Sequence, residues 1–442
     1  MLTTRETIDR DLAITWYKKN RIRTAQLFDL LTDEAYYAQP IALRHPIVFY
    51  EGHLPAFSLN TLVKKGLGAR GVDESLEQLF ARGIDPDEAS GRTLSTWPDR
   101  QRVRAFVEAA DTLVLDALAH ADVDVPGHPL LDRANAVFTI LEHEAMHQET
   151  LLYMWHRLPF EQKKRPADYR VTTDESAPEK SEIQIPAGRV QLGAARGEIP
   201  FGWDNEFGAS SVEVPRFAID RSNVTNGEFL EFVQAGGYEQ RSLWTDEDWQ
   251  WVRAHDYWHP TFWERVEGQW QWRGMFELLP LPLDWPVYVS HAEARAFAKW
   301  RGRRLPTEAE YQRAAYGSPT PEARRFPWGD APPDASRGVF DFQSWEPQPV
   351  GTHPAGQSAW GVEDLVGNGW EWTSSLFRPF PDFVASASYP EYSADFFDDS
   401  HYVMKGGSQA TARELLRPTF RNWFRPRYPY VYATFRCVRE DA

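Results

Sequence analysis

The chain has 442 residues, a formal charge of −16 and a single cysteine, Cys437. That length implies two or three domains, the acidic balance without a basic run excludes nucleic acid and anionic lipid as partners, and one cysteine excludes a disulfide framework or a multi-cysteine metal centre. No window holds the ~18 apolar residues of a membrane span and no apolar leader opens the chain, so a cytoplasmic protein without a membrane partner is expected, its oligomeric state open.

Residues 5–33 place Ile8, Leu12, Trp16, Ile22, Leu27 and Leu30 at helical spacing and predict a first helix. A second covers 46–66, where Pro55 is expected to begin or kink it. The third, 98–121, has Pro98 at its first helical position, and the fourth spans 128–158. Four long helices within residues 1–165 predict an all-α four-helix bundle, an architecture whose core builds metal sites from facing helices. Residues 166–182, PADYRVTTDESAPEKSE, read as a linker. From 183 to 442 the texture turns to short alternating runs such as IQIPAGRVQLG and VEVPRFAID, with helices predicted at 222–235 and 290–301. Many Gly, Asn and Pro turns make this an irregular α+β domain with more loop than strand.

The fourth helix contains LEHEAMHQETLLYMW, Leu141–Trp155, in which His143 and His147 complete an HExxH pattern. A zinc peptidase needs a third ligand downstream, and here only His156 and Glu161 follow before His255. The other reading brings a third histidine from another helix of the bundle. His53, in the apolar-aromatic run YEGHLPAF, suits that role, and His45 before Pro46 suits it less. Three neutral imidazoles leave open positions on an iron-like ion for substrate and dioxygen. A core hydrogen bond is the ordinary alternative for His53 taken alone.

These residues resemble a known family. HEAMHQE matches the H-x3-H-x-E signature of the iron-dependent sulfoxide synthases of ergothioneine biosynthesis, and YEGHLPAF looks like that family's upstream histidine segment. IPAGRVQLG, VTNGEFLEF, RRLPTEAEYQRAA, FPWGD, DLVGNGWEWTSS, MKGGSQA and RPTFRNW are similar to the formylglycine-generating-enzyme-like domain of the same proteins. The resemblance implies a multidomain fold: an N-terminal DinB-like bundle and a C-terminal C-type-lectin-like, formylglycine-generating-enzyme-like α+β domain. It also implies Fe(II) on His53, His143 and His147. Hercynine (trimethylhistidine) would be the substrate, its imidazole C2 bonded to a chalcogen with dioxygen as oxidant. Relatives of the second domain that oxidise cysteine with copper need a cysteine pair, which the lone Cys437 excludes. Glu149 or Gln148 is expected to orient the histidines from the same helix.

Departures from the family pattern bear on the donor. Phe424 stands where the ergothioneine enzymes carry an aspartate and Tyr428 where they carry an arginine, so the charged grip on γ-glutamylcysteine is missing. Asn422 and Trp423 are retained, with Asn422 expected on the hercynine carboxylate and Trp423 on its trimethylammonium group through a cation–π contact. Met146 replaces a glutamine that contacts hercynine, and Phe377 falls near the family's catalytic tyrosine. Arg100 and Arg102 lie where a donor-binding arginine is expected, though a solvated helix start is the favoured reading for either. The favoured expectation is a selenoneine-forming enzyme that joins hercynine to a selenosugar. An ergothioneine-pathway enzyme using cysteine or γ-glutamylcysteine is the alternative, followed by the zinc peptidase and by a ligand-binding protein without metal.

Overall fold

The computed structural model describes residues 8–81, 97–173, 180–320 and 324–440. Residues 5–7 of the first predicted helix and 174–179 of the predicted linker lie outside them. The chain divides into two compact units: Met1–Ala167 with Ser386–Pro390, and Asp168–Ala385 with Glu391–Ala442.

The first unit is helical, with α1 (Arg10–Asp29), α2 (Ile47–Ser58), a short α3 (Glu74–Leu79), α4 (Arg100–His120) and α5 (Asn135–Arg157). Helices α1 and α2 each pack on both α4 and α5. The face that α1 buries is not the apolar one expected: Leu12 and Ile22 are 63% and 59% exposed. The buried stripe is Ala13, Tyr17, Asn20, Thr24, Leu27 and Phe28. Its polar members find partners across the bundle. Tyr17 donates its hydroxyl to Asp111 at 2.7 Å, Asn20 its amide to the Leu141 carbonyl at 2.8 Å, and Thr24 its hydroxyl to Glu144 at 2.6 Å. Satisfied polar groups are cheap to bury, so hydrophobic spacing alone finds Leu27 on the buried side of α1 and misses Tyr17, Asn20 and Thr24.

Pro55 neither begins nor breaks α2, which runs through to Ser58 and continues as a π-helical segment over Leu59–Gly66. Pro55 has no N–H to give the preceding turn, and the wider winding follows directly. Helix α4 starts at Arg100, because Asp99 is the cap and accepts the Arg102 N–H at 2.8 Å, so Pro98 stands outside the helix. Helix α5 starts later than predicted. His128 Nδ1 accepts the N–H groups of Leu130 and Leu131 at 3.1 Å, and Arg133 and Ala134 are left-handed, with φ of 55° and 53°.

The second unit begins within the expected linker. Tyr169 is buried with its hydroxyl donating to Glu346 at 3.1 Å, and the Trp285 indole donates to the Thr172 carbonyl at 2.9 Å. A tyrosine with a partner for its hydroxyl packs as core, which is why 168–173 are not loose chain. The strands are β1 (Glu182–Ile185), β2 (Gly188–Leu192), β3 (Ser210–Val214), β4 (Phe217–Asp220), β5 (Trp263–Val266), β6 (Gln269–Arg273), β7 (Leu278–Pro280), β8 (Gly369–Leu376), β9 (Tyr402–Gly407), β10 (Asn422–Phe424), β11 (Ala433–Thr434) and β12 (Val438–Glu440). They form sheets ordered β1-β4-β12, β10-β9-β8-β11, β2-β3 and β5-β6-β7. Pairing is antiparallel except that β11 runs parallel to β8.

Both helices predicted here are present, as α6 (Asn226–Gln234) and α8 (His291–Trp300). They are joined by α7 (Asp246–Ala254) and α9 (Glu308–Tyr316). Capping boxes Thr225/Glu228, Ser290/Glu293 and Thr307/Glu310 start α6, α8 and α9. At the centre of the unit Arg436 and Glu371, both fully buried, meet in two parallel 2.7 Å hydrogen bonds.

Candidate metal centre

Helix α2 supplies His53, while α5 supplies His143 and His147 from successive turns of one face. Each offers a ligand atom within 4.8 Å of the others, the arrangement of a three-histidine metal site. All three are buried. The Phe80 carbonyl can only accept, so His53 Nδ1 must be the donor in their 2.7 Å hydrogen bond, which fixes the tautomer and frees Nε2. That Nε2, both ring nitrogens of His143 and Nδ1 of His147 are buried with no hydrogen-bond partner among the described residues. Orphaned nitrogens on three rings that bring one ligand atom each together are costly in an empty core and natural around a cation. Burial lowers the His53 pKa to about 4 and takes His143 and His147 well below the usual imidazole value. All three are therefore neutral at physiological pH, the form that ligates.

Aromatic rings wall the cluster. Phe57 stacks on His143 with centroids 3.5 Å apart and planes 8° apart, and Phe49 stacks on His53 at 4.8 Å and 21°. Tyr389, on the segment Ser386–Pro390 that belongs to this unit, has its ring 6.3 Å from His143 and 5.5 Å from Phe57. Beside it, the Ser388 hydroxyl lies 3.3 Å from Thr139 Oγ1 and 3.5 Å from Asn135 Oδ1, both on α5. No local pattern in the sequence points to Tyr389, because the histidines it adjoins lie far back along the chain.

The glutamate of HExxH faces away from the cluster. Glu144 accepts from Arg21 Nη1 at 2.7 Å and from Thr24 Oγ1 at 2.6 Å, both on α1. A carboxylate so engaged is not poised as a peptidase base. Gln148 also turns to α1, donating to the Asn20 carbonyl at 2.9 Å and Thr24 Oγ1 at 3.2 Å. Glu149 is buried on α5 but bonds neither ring nitrogen of His143 nor Nδ1 of His147. The Phe80 carbonyl orients His53. Met146 is half-buried between the two histidines. Arg100 lies over the Tyr36 ring at 4.7 Å and within 3.7 Å of the buried Glu51, and Arg102 pairs with Asp73 at 3.1 Å.

In the second unit, Asn422, Trp423 and Phe424 form β10. The Asn422 side-chain oxygen accepts the Trp423 backbone N–H at 2.9 Å, leaving its amide nitrogen as a donor. Phe377, expected near a catalytic position, is a core ring. It is fully buried and stacks on Trp423 at 4.1 Å and 6°, so it covers one face of that indole. An apolar ring following a strand packs where it can shed water. Phe424 and Tyr428 stack on each other at 5.1 Å and 18°.

The description DinB superfamily matches residues 17–151, and Sulfatase-modifying factor enzyme 1-like domain matches residues 168–441. Hercynine oxygenase of Mycolicibacterium thermoresistibile is 34% identical, over 95% of this chain and 92% of its own. Hercynine oxygenase of Mycolicibacterium smegmatis is 32% identical, over 98% of this chain and 99% of its own. Ergothioneine biosynthesis protein 1 of Neurospora crassa is 27% identical over 93% of this chain, which spans 56% of that protein. With both domains matched in order and relatives aligned from end to end, the chain belongs to the ergothioneine-synthase family, in which a DinB-superfamily bundle precedes a sulfatase-modifying-factor-like domain.

Proposed function

We propose that this chain is an oxygen-dependent oxidative enzyme that bonds a chalcogen to C2 of the hercynine imidazole, with iron(II) held by His53, His143 and His147. The observation that carries this reading is the buried cluster of three neutral imidazoles with unpartnered ring nitrogens. Iron(II) accepts a soft donor and also supplies one-electron chemistry toward dioxygen, which redox-silent zinc does not. The chain's own groups would have distinct tasks. Phe57 shields the flat face of His143 from water, and Tyr389 brings a phenol beside the cluster, its ring 6.3 Å from His143, as Tyr50 of α2 does at 6.0 Å from His147. The Asn422 amide would donate to the hercynine carboxylate, and the aromatic group around Trp423 would take the trimethylammonium.

For the donor, a relative named for ergothioneine biosynthesis supports that pathway, in which the donor would be a thiol, cysteine or γ-glutamylcysteine. A second reading has one observation in its favour. The stacked Phe424–Tyr428 pair offers no charge to a zwitterionic thiol and offers the flat apolar faces on which a sugar ring packs, which supports a selenosugar. An aerobic assay of iron(II)-loaded protein with hercynine separates the two. Cysteine, γ-glutamylcysteine and 1-selenoglucose are supplied one at a time and products are read by mass spectrometry. A sulfoxide from a thiol supports the ergothioneine pathway, a selenium adduct from the sugar alone supports selenoneine formation, and no hercynine product from any donor refutes the reading as a whole.

A further inference from the structure

Helix α3 is too short to share the bundle's main packing, and its importance lies at its end. The Phe80 ring is fully buried between Phe49 of α2, at 6.3 Å, and Phe106 of α4, at 6.0 Å. Its carbonyl holds His53 Nδ1 at 2.7 Å. The ring also rests on Gly52, the residue before His53: a Cβ there would lie inside the contact distance of Cδ2, Cε2 and Cζ of Phe80. Gly52 sits within α2 and is absent from the positive-φ glycines, so its conformational freedom is not in use. Glycine weakens a helix relative to alanine. What it provides here is room for Phe80.

The strap that delivers Phe80 is itself fastened. Asp73 caps α3 by accepting the N–H groups of Ser75 at 3.0 Å and Leu76 at 3.2 Å. Buried Glu77 accepts the N–H groups of Val72 at 2.6 Å and Asp73 at 3.0 Å and pairs with Lys64 of the π-helical segment. We propose that Phe80, seated on Gly52, is a positioning residue of the metal centre: its carbonyl locks His53 as the Nδ1–H tautomer and so presents Nε2 to the ion shared with His143 and His147. This rests on the three-histidine metal reading above. Supports of this kind fix ring orientation and raise ligand basicity, and losing one lowers metal affinity about 10–100-fold. Gly52→Ala drives the ring away and takes the carbonyl with it. Phe80→Leu in the same chain removes Cε2 and Cζ while keeping the carbonyl.

The test uses the full-length metal-free chain and two readouts. Long-range 1H–15N correlation spectra of histidine-labelled wild type give the tautomer of His53, and cobalt(II) titration followed by d–d absorption gives affinity and coordination geometry. The expected results are an Nδ1–H His53, a Gly52→Ala chain that binds cobalt about 10–100-fold more weakly with an altered d–d spectrum, and recovery of affinity and spectrum in Gly52→Ala/Phe80→Leu. A purely structural glycine would lower Tm without moving the tautomer or the cobalt spectrum. An Nε2–H His53 in the wild type overturns the proposal whether or not any variant folds. Equal cobalt affinity in wild type and Gly52→Ala overturns this proposal alone. Wild type that binds no cobalt, with His53 still Nδ1–H, overturns the metal reading and this one with it.

Discussion

Replacing Glu144 by alanine separates two uses of the HExxH stretch. In a peptidase the glutamate works at the metal, and its loss stops turnover while the fold survives. In this structure its carboxylate is buried against Arg21 at 2.7 Å and Thr24 at 2.6 Å, and Arg21 also holds Asp111 at 3.0 Å. At an effective dielectric near 20, Coulomb's law gives roughly 6 kcal/mol of gross attraction for such a pair. Desolvation offsets much of it. Because Asp111 keeps its hold on Arg21, the expected net loss sits at the low end for breaking a buried pair, about 3 kcal/mol. In a domain of this size that lowers Tm by roughly 6–12 °C. The assay is thermal unfolding followed by circular dichroism, with metal content measured on the same samples. Glu144→Ala should melt early yet retain its metal below the transition, and Glu144→Gln, which keeps an acceptor for Thr24, should lose less. A Glu144→Ala protein with unchanged Tm and no turnover would refute the reasoning and return this glutamate to a catalytic base.

His143→Ala should remove metal binding and turnover while circular dichroism stays near wild type, and retained stoichiometric metal would withdraw His143 from the ligand set. Tyr389→Phe should leave metal affinity unchanged and slow product formation by about 10²–10⁴-fold, the usual worth of a proton donor; unaltered turnover removes the phenol from the chemistry. Phe424→Asp should weaken the reaction with a selenosugar and strengthen that with a thiol amino acid, as judged by competition between donors. An unchanged preference removes Phe424 from donor selection. Burial raises the Glu293 carboxyl to about 7, against the lowering pull of hydrogen bonds from Ser290 and Tyr238. The folded chain thus keeps a proton that the unfolded chain releases near 4.5, so this group's stabilisation is full below that value and is lost as pH rises through about 7. Denaturant midpoints at about pH 5 and about pH 8 should differ less in Glu293→Gln than in wild type, and an identical difference would contradict it.

The metal cluster was unevenly legible. His143 and His147 announce themselves by helical spacing, and His53 by being an imidazole in an otherwise apolar-aromatic run. What orients them was not legible. A backbone carbonyl such as that of Phe80 leaves no mark in residue identity, and α3, at six residues, is too short for periodicity to reveal. Gln148 bonds to α1 and not to a ring of the cluster, because a residue one position after a ligand points away from its face of the helix. Tyr389 and Phe377 show the same limit at longer range. The residue that follows β8 is a buried ring packed on Trp423, and a tyrosine from a later loop lies beside His143. On α1, buried Tyr17, Asn20 and Thr24 defeat a purely apolar reading because their partners lie on other helices.

That five residues from 386–390 belong to the helical unit bears on how such a protein can be inherited or rebuilt. A gene fragment ending at Ala167 encodes every histidine of the cluster, yet lacks Tyr389 and the Ser388 that anchors it to α5. Grafting a foreign second half onto this bundle would replace that segment along with everything around it. The order of matched domains suggests two exchangeable modules, but a recombination point between them would give the three histidines one ancestry and the Tyr389 ring beside them another.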